Sequence, residues 1–532
     1  MSTLPLDHLL DTGKRQMSLL PWHWFWGGLL SGLVLYLPFG SIQHDLNGVA
    51  EAMAIARGGN DIFRPNHMLY GIIGRFAYTT AQTLGYAGPV DPILKFITAL
   101  AGATTIGLAS LALRRLSATP SGALLGIALL ALSWAQWSFS TDIYYIPLAA
   151  AFSAGAFASS LYPPRIATSL LTGLCCALAI LTWQACVFLV PMIAISPLVN
   201  HRQQPFRDRL SAVAAIAGAC GLILSLCYLS VAFFVYGYRD LTEIMSWLAN
   251  YGGARLPVWG TWSPDRIVPA GISAIASIIP LWSGIGLRRL LSGSLPIDKI
   301  PALLSLLALL GGAGMSIWLA VRRHHLPYRQ LVWLGATYAL FVPFIIWWDP
   351  YEPKWFVVPN LFLAAAIAVV WGSPALPRPT TILAGVCVLL IGWGNFQAAI
   401  WPRATVPNPN LETAACVAQH LRTGDLLIET DWSFGGYLNY FYGCDTVSLI
   451  DLSARVNDDS ALVAAIADVI RERQTRGGRV FIEDLDSYGP AQQAWFFTHT
   501  GVAHTALHSF PQQPAFVCAN RRFEQLTLSA SR

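Results

Sequence analysis

The sequence predicts a mainly α-helical polytopic membrane protein with a small α/β domain at its C-terminal end, and three observations carry that expectation. The chain has 532 residues, 55% of them hydrophobic and only 11% charged, whereas soluble proteins carry roughly 25% charged residues. That leaves too little polar surface to cover a water-soluble body of this size. A large soluble enzyme, a disordered chain and a disulfide-built secreted scaffold are excluded. Second, apolar runs able to cross about 30 Å of hydrocarbon recur throughout residues 22–400. Third, the charge divides the chain: residues 1–402 hold 23 Lys+Arg against 14 Asp+Glu (net +9), while residues 403–532 hold 10 Arg, no Lys and 14 acids (net −4). The chain therefore reads as a membrane domain, 1–402, and a soluble domain, 403–532, of ordinary small-domain size. The overall +5 averages two unlike parts and points to no nucleic-acid partner.

The first run, 22–39, follows Lys14 and Arg15, opens with Trp22, Trp24 and Trp26, and lacks a small-residue cleavage site. It reads as an anchor with a cytoplasmic N-terminus and an interfacial aromatic belt, not as a cleaved signal peptide. Further runs are 91–113, 119–139, 142–161, 166–182, 183–199, 211–236, 301–321, 329–348, 355–372 and 380–400, which makes about eleven crossings. The stretch 166–199 is taken as two short helices broken near Thr182-Trp183-Gln184. Residues 67–86, interrupted by Gly71, Gly74 and Arg75, suit a helix lying in the interface, and 267–287 is kept interfacial for parity. The short cytoplasmic links then hold Arg114-Arg115, Arg165, Arg202 with Arg207 and Arg209, Arg322-Arg323 with Arg329, and Arg378. Every one is basic, as the positive-inside rule demands. Eleven crossings put the C-terminal domain outside, and the protein is expected in the inner (plasma) membrane.

In that domain, strand-like runs at 425–429, 446–450 and 479–483 alternate with helical runs at 436–442 and 459–474, which predicts a small parallel sheet. Gly435-Gly436, between strand and helix, is a weak phosphate-binding pattern and reads as a tight turn. Six of the nine cysteines lie in apolar stretches. Cys416, Cys444 and Cys518 lie in the soluble part without a C-x-x-C spacing, so neither a zinc site nor a disulfide framework is supported, and one bridge is open to them in an oxidising compartment.

With so few charges, those at the outer face are informative, because a charge at the bilayer centre costs on the order of 2.5–3.5 kcal/mol. The first external loop is the richest region. Asp45 falls directly after the first span and suits the N-cap of a helix over 46–57, with Leu46, Val49, Met53 and Ile55 on its apolar side. Arg64-Pro65-Asn66-His67-Met68-Leu69-Tyr70 follows. Ser140-Thr141-Asp142-Ile143-Tyr144-Tyr145 opens the second external loop, and Trp348-Asp349-Pro350-Tyr351-Glu352-Pro353-Lys354-Trp355 forms a late one.

An acid after the first span, an interfacial helix, a His/Pro-containing turn, a second-loop acid and a late-loop basic residue together resemble the GT-C class of membrane glycosyltransferases. The protein mannosyltransferase and aminoarabinose transferase branches are nearest in pattern. Where those relatives usually show His-Pro-Pro, this chain has Arg64-Pro65-Asn66-His67, and the paired Asp-Glu of the mannosyltransferase branch is missing. The resemblance implies transfer of a sugar from a polyprenyl-phosphate-linked donor to an acceptor hydroxyl at the outer membrane face, with inversion. Asp45 would be the general base. Lys354 and Arg64 would hold the phosphate, with His67 and Glu352 beside the substrate. Asp142 is left with three roles: positioning the acceptor, acting as a second acid, or holding a divalent metal with Asp45. Plainer readings stand beside these. Asp45 and Asp142 suit helix caps, the latter for a helix at 143, and Lys354 suits interfacial snorkelling. A lipid-linked polysaccharide polymerase or ligase is the alternative enzyme. A transporter or flippase is disfavoured because no internal repeat is visible and the acids cluster at one face.

Overall fold

The computed structural model describes residues 22–249, 260, 262–280, 300–322, 327–374, 376–430, 433–453, 456, 459–490, 493, 494, 496, 497 and 504–528. Its membrane part begins with α1 (Trp22–Tyr36), α2 (Leu46–Arg57), α3 (Met68–Thr83) and α4 (Asp91–Leu116). Then come α5 (Pro120–Leu132), α6 (Trp134–Ser140), α7 (Ile146–Ser160), α8 (Ile166–Thr182) and α9 (Phe206–Phe234). The remaining helices are α10 (Leu241–Ala249), α11 (Ile267–Ala276), α12 (Ile300–Arg322), α13 (Tyr328–Trp348), α14 (Val357–Trp371) and α15 (Arg378–Asn395). Among the described residues, six helical segments are long and apolar enough to cross a membrane, and a seventh is the pair α5–α6, bent by 56°. Shorter apolar helices cover 146–160, 166–182 and 184–200. With α1, these segments coincide with all eleven apolar runs of the sequence. The chain is an integral multi-pass membrane protein.

Helix contacts here cannot draw on the hydrophobic effect, since lipid is as apolar as leucine; close approach through small residues serves instead. A Cβ on Gly32 of α1 would lie 2.6 Å from the Cα of Ala103 in α4. The break between α8 and the segment 184–200 falls at Trp183, whose extended backbone (φ −153°, ψ 107°) ends the helix. Helix α3 has 16 residues and buries Met68, Tyr70, Gly71 and Gly74 while leaving Phe76 exposed. Of the stretch 267–287, the described residues 267–280 contain the helix α11, and residues 281–287 lie outside the described residues. The backbone after α11 meets the bend between α5 and α6. There Trp134 N–H donates to the Ile278 carbonyl (3.0 Å), Ala135 N–H donates to that of Ser277 (2.8 Å), and Asn395 Nδ2 donates to the carbonyls of Leu132 and Ile278 (both 2.7 Å). Irregular backbone at this junction is thus satisfied by protein.

The C-terminal part contains α16 (Pro409–His420), α17 (Gly435–Tyr442), α18 (Asp459–Thr475) and a five-stranded sheet of order β2-β1-β3-β5-β4. β1 (Leu426–Glu429), β2 (Asp445–Ser448) and β3 (Val480–Glu483) are parallel, as the alternation predicts. β4 (Gln512–Cys518) and β5 (Arg521–Leu526) add an antiparallel hairpin, so the sheet is mixed and the purely parallel expectation is corrected. The hairpin turns on Ala519 and Asn520, both at positive φ, without the Asn-Gly or Asp-Gly pair that marks such turns in a sequence. Its first strand also carries Pro514 at a register shift. Cys416 and Cys518 form a disulfide that ties α16 to β4.

Candidate functional site

The loop between α1 and α2 carries Asp45. The carboxylate caps α2, with Oδ1 accepting the Asn47 N–H at 3.0 Å, so the capping reading holds. Helix α2 turns Val49, Ala52 and Ile55 inward and leaves Asp45 half-buried and Asn47 exposed. Asp142 follows α6, whose bend away from α5 brings the second loop under the first. The Asp142 side chain is fully buried: Oδ2 accepts the Asp45 N–H at 3.1 Å and pairs with the Arg403 guanidinium at 2.5 Å, and Oδ1 accepts the Ile143 N–H at 2.8 Å. Asp142 does not cap a helix at 143, because α7 begins at Ile146.

Lys354 sits in the short helical turn before α14, buried, with Nζ 3.3 Å from Glu352 Oε2 and 5.4 Å and 5.1 Å above the rings of Tyr144 and Trp355. The negative charge of Asp45 acts on this ammonium, as do those of Glu352 and Asp349. A row of contacts leads on from there. Tyr144 stacks on Tyr145 (4.8 Å between centroids), Tyr145 meets the His67 ring (4.6 Å), and His67 Nε2 lies 3.3 Å from Glu51 Oε1. Arg64, exposed at the rim, stands 3.9 Å from Glu51 at the far end of the row. Asn47 Nδ2 donates to the Tyr144 hydroxyl at 3.3 Å, which joins α2 to the same floor.

Burial decides the charge states. It pushes the Glu51 carboxyl up to about 7, against the pull of Arg64. It also pulls the His67 imidazole down to about 3, with Arg64 adding to the shift. At neutral pH, His67 is a neutral hydrogen-bonding ring, and Glu51 titrates beside it. Burial likewise raises the Asp349 carboxyl, and the like charge of Glu352 adds to it.

All six sequence candidates stand in two joined clusters: Asp45, Asp142, Lys354 and Glu352 in one, His67 and Arg64 in the other, with Tyr144 and Tyr145 between. Sequence reasoning gave no role to Glu51, Tyr144, Tyr145 or Arg403. Arg403 directly follows the last apolar run and looks like interfacial charge; nothing local signals its pairing with an acid 261 positions earlier. Arg266 was also missed. Buried, it donates to the carbonyls of Trp347 (2.7 Å) and Trp348 (3.2 Å) at the end of α13, where the Lys354 loop begins.

For a divalent metal between Asp45 and Asp142, one of the three roles open to Asp142, the donor set does not fit. Asp142 is neutralised by Arg403 and turned toward N–H donors, which leaves a dication little to gain there. Among the described residues, Cys416, His420 and Cys518 have metal-ligand spacing, but the two sulfurs are bonded to each other. The Gly435-Gly436 turn is not a phosphate cradle either. Glu429 Oε1 takes the N–H groups of Phe434 (3.1 Å) and Gly435 (2.6 Å), and Gly436 lets α17 approach Leu46, where a Cβ would come within 2.8 Å.

This arrangement of apolar helices, some bent or broken, with a small C-terminal α/β unit is similar in fold to the GT-C glycosyltransferases. Two solved structures of that class are similar to the chain. ArnT from Cupriavidus metallidurans, bound to undecaprenyl phosphate, has a TM-score of 0.53 at 12% identity, covering 94% of this chain and 98% of its own. The Archaeoglobus fulgidus oligosaccharyltransferase, in complex with zinc and sulfate, has a TM-score of 0.54 at 11% identity, covering 92% of this chain and 71% of its own. At such identities the likeness is one of fold. No family model and no curated protein matches the sequence.

Proposed function

We propose that the protein is a membrane glycosyltransferase that moves a sugar from a polyprenyl-phosphate-linked donor to an acceptor hydroxyl at the outer membrane face. The observation that carries this reading is the buried Lys354 ammonium held over Tyr144 within the field of Asp45. Asn47, exposed, and Glu352, half-buried, stand beside this cation and carboxylate. The acceptor oxygen attacks the anomeric carbon, and its proton passes to the Asp45 carboxylate. The bond from that carbon to the phosphate oxygen breaks, and its electron pair leaves on the polyprenyl phosphate. One displacement inverts the anomeric centre. Lys354 stabilises the charge gathering on the departing phosphate. Glu352 orients the ammonium, and Arg64 and His67 line the donor's approach. A donor anchored by a long apolar chain suits a site at the membrane boundary, and undecaprenyl phosphate bound to ArnT supports that donor chemistry.

The Cys416–Cys518 bridge supports an extracytoplasmic C-terminal domain, since such bridges persist in oxidising compartments. A reporter fused after residue 402 is expected to respond as an external tail, and a cytoplasmic response overturns the orientation. For the chemistry, purified protein is given a panel of undecaprenyl-phosphate-linked hexoses and pentoses, with water or a simple glycoside supplying the acceptor hydroxyl, and release of undecaprenyl phosphate is followed. Asp45→Asn is expected to lower turnover by about 10²–10⁴-fold with folding intact. Near-normal turnover removes Asp45 as the base.

A further inference from the structure

The loop that carries Asp45 is fastened from two sides at almost every residue. Ser41 N–H donates to the Thr141 carbonyl (2.7 Å), and Ile42 N–H donates to the Arg403 carbonyl (2.9 Å). The Gln43 carbonyl accepts from Asn408 Nδ2 (2.6 Å), and the His44 carbonyl accepts from the Tyr437 hydroxyl (2.6 Å). Asp45 N–H donates to Asp142 (3.1 Å). Three of these five partners, Arg403, Asn408 and Tyr437, belong to the junction and the C-terminal domain. His44 sits at φ +52°, a left-handed conformation that a non-glycine residue holds only when its surroundings impose it. Its ring is packed 5.1 Å from that of Phe441, on the same helix as Tyr437.

We infer that Arg403 and Asp142 form a positioning pair through which the C-terminal domain sets the place of Asp45. This rests on the reading of Asp45 as the base. Asp142 without a counter-charge would be a fully buried anion next to a second carboxylate. The Arg403 guanidinium, 2.5 Å away, balances that charge on the same Oδ2 that accepts the Asp45 N–H. The same Arg403 holds Ile42 through its backbone, so one residue past the last span grips the loop by both side chain and main chain. Neither Arg403 nor Tyr437 needs to touch substrate. They act through where Asp45 stands, and a misplacement on the order of 1 Å in a reacting group costs about 10²-fold in rate.

The test uses the full chain in lipid nanodiscs with the undecaprenyl-phosphate-sugar panel, together with hydrogen exchange at the Asp45 amide, which needs no substrate. Arg403→Gln is expected to lower kcat by about 10²-fold with donor KM within about two-fold of the parent, and to speed exchange at Asp45. Arg403→Lys restores at least about ten-fold of the lost kcat. Asp142→Asn/Arg403→Gln is no worse than Arg403→Gln alone, because both groups act through one hydrogen bond. Tyr437→Phe removes a single hydroxyl and lowers kcat by about three- to ten-fold without moving KM. It keeps the test open should Arg403→Gln misfold. A rise in KM with kcat retained, multiplying losses in the double variant, or unchanged exchange at Asp45 overturns the positioning pair. Asp45→Asn, run alongside, separates the two readings. If it retains turnover, the base assignment fails whatever Arg403 does. If it is inactive while Arg403→Gln turns over normally, only the positioning pair fails.

Discussion

Glu51 and His67 face each other inside the protein, Oε1 to Nε2 at 3.3 Å, with both side chains under a tenth exposed. Neither is comfortable with its charge. Because burial raises the Glu51 carboxyl from 4.5 to about 7, the folded state holds a proton that the unfolded chain releases earlier. Stability contributed by the protonated form is therefore complete below about pH 4.5 and is lost as pH rises toward 7. His67 acts in the opposite sense: its stabilising neutral form is complete above pH 6.5 and is lost as pH falls toward about 3. Glu51→Gln removes only the first effect. Relative to the parent, the variant is expected to gain up to about 3 kcal/mol between pH 4.5 and 7, read as the difference between two thermal unfolding series across that range.

Lys354 is the sole Lys or Arg side chain of its loop. Lys354→Met is expected to weaken binding of undecaprenyl phosphate by about 10- to 100-fold, the worth of a hydrogen bond to a charged group. Lys354→Arg should keep part of that affinity. Native mass spectrometry against added undecaprenyl phosphate reads both, and equal affinity across the three proteins would move the phosphate elsewhere.

Arg266 closes the end of α13 by taking two carbonyls. Arg266→Met removes a charged donor from each of these part-buried carbonyls, of which that of Trp348 also accepts the Gly260 N–H (3.4 Å), at a cost of about 1–3 kcal/mol. The expected result is a lower Tm together with weaker undecaprenyl phosphate binding, since the chain after Trp348 leads to Lys354.

The Cys416–Cys518 bridge spans 102 residues. Cys416→Ala/Cys518→Ala is expected to destabilise the C-terminal domain by about 2–5 kcal/mol. A matching change at the free Cys444 leaves stability near that of the parent. Thermal unfolding with and without reductant distinguishes them, because reductant should shift the parent and spare the double variant.

Much of the fold is legible along the chain because a membrane allows few solutions: long apolar runs, basic links and Trp-rich ends become helices with little competition. The strands at 426–429 and 480–483 are likewise short, mostly apolar runs set off by turns, whereas 445–448 is Asp-Thr-Val-Ser and the apolar Leu449 and Ile450 that follow it are helical. The β4–β5 hairpin escapes that reading because Ala519-Asn520 is a poor turn signal and Pro514 interrupts the first strand. Asp45 is visible because a lone acid at a span's mouth stands out against so few charges, and its cap role follows from the helix after it. The partners of Asp142 are not visible. Its contact with Arg403 joins residues 261 positions apart, and no local pattern encodes which of many external arginines folds back. Glu51 hides for a related reason: on a helix of otherwise apolar inward residues it looks like a solvent-facing charge, and only the tertiary fold lays His67 against it.

The Asp45 loop draws its final tether from a hydroxyl 393 positions further along the polypeptide. On the proposed reading of Asp45, a chain stopped before Tyr437 is expected to keep every apolar run of the membrane part yet lose this tether, and so to hold the acid less firmly than the full-length protein.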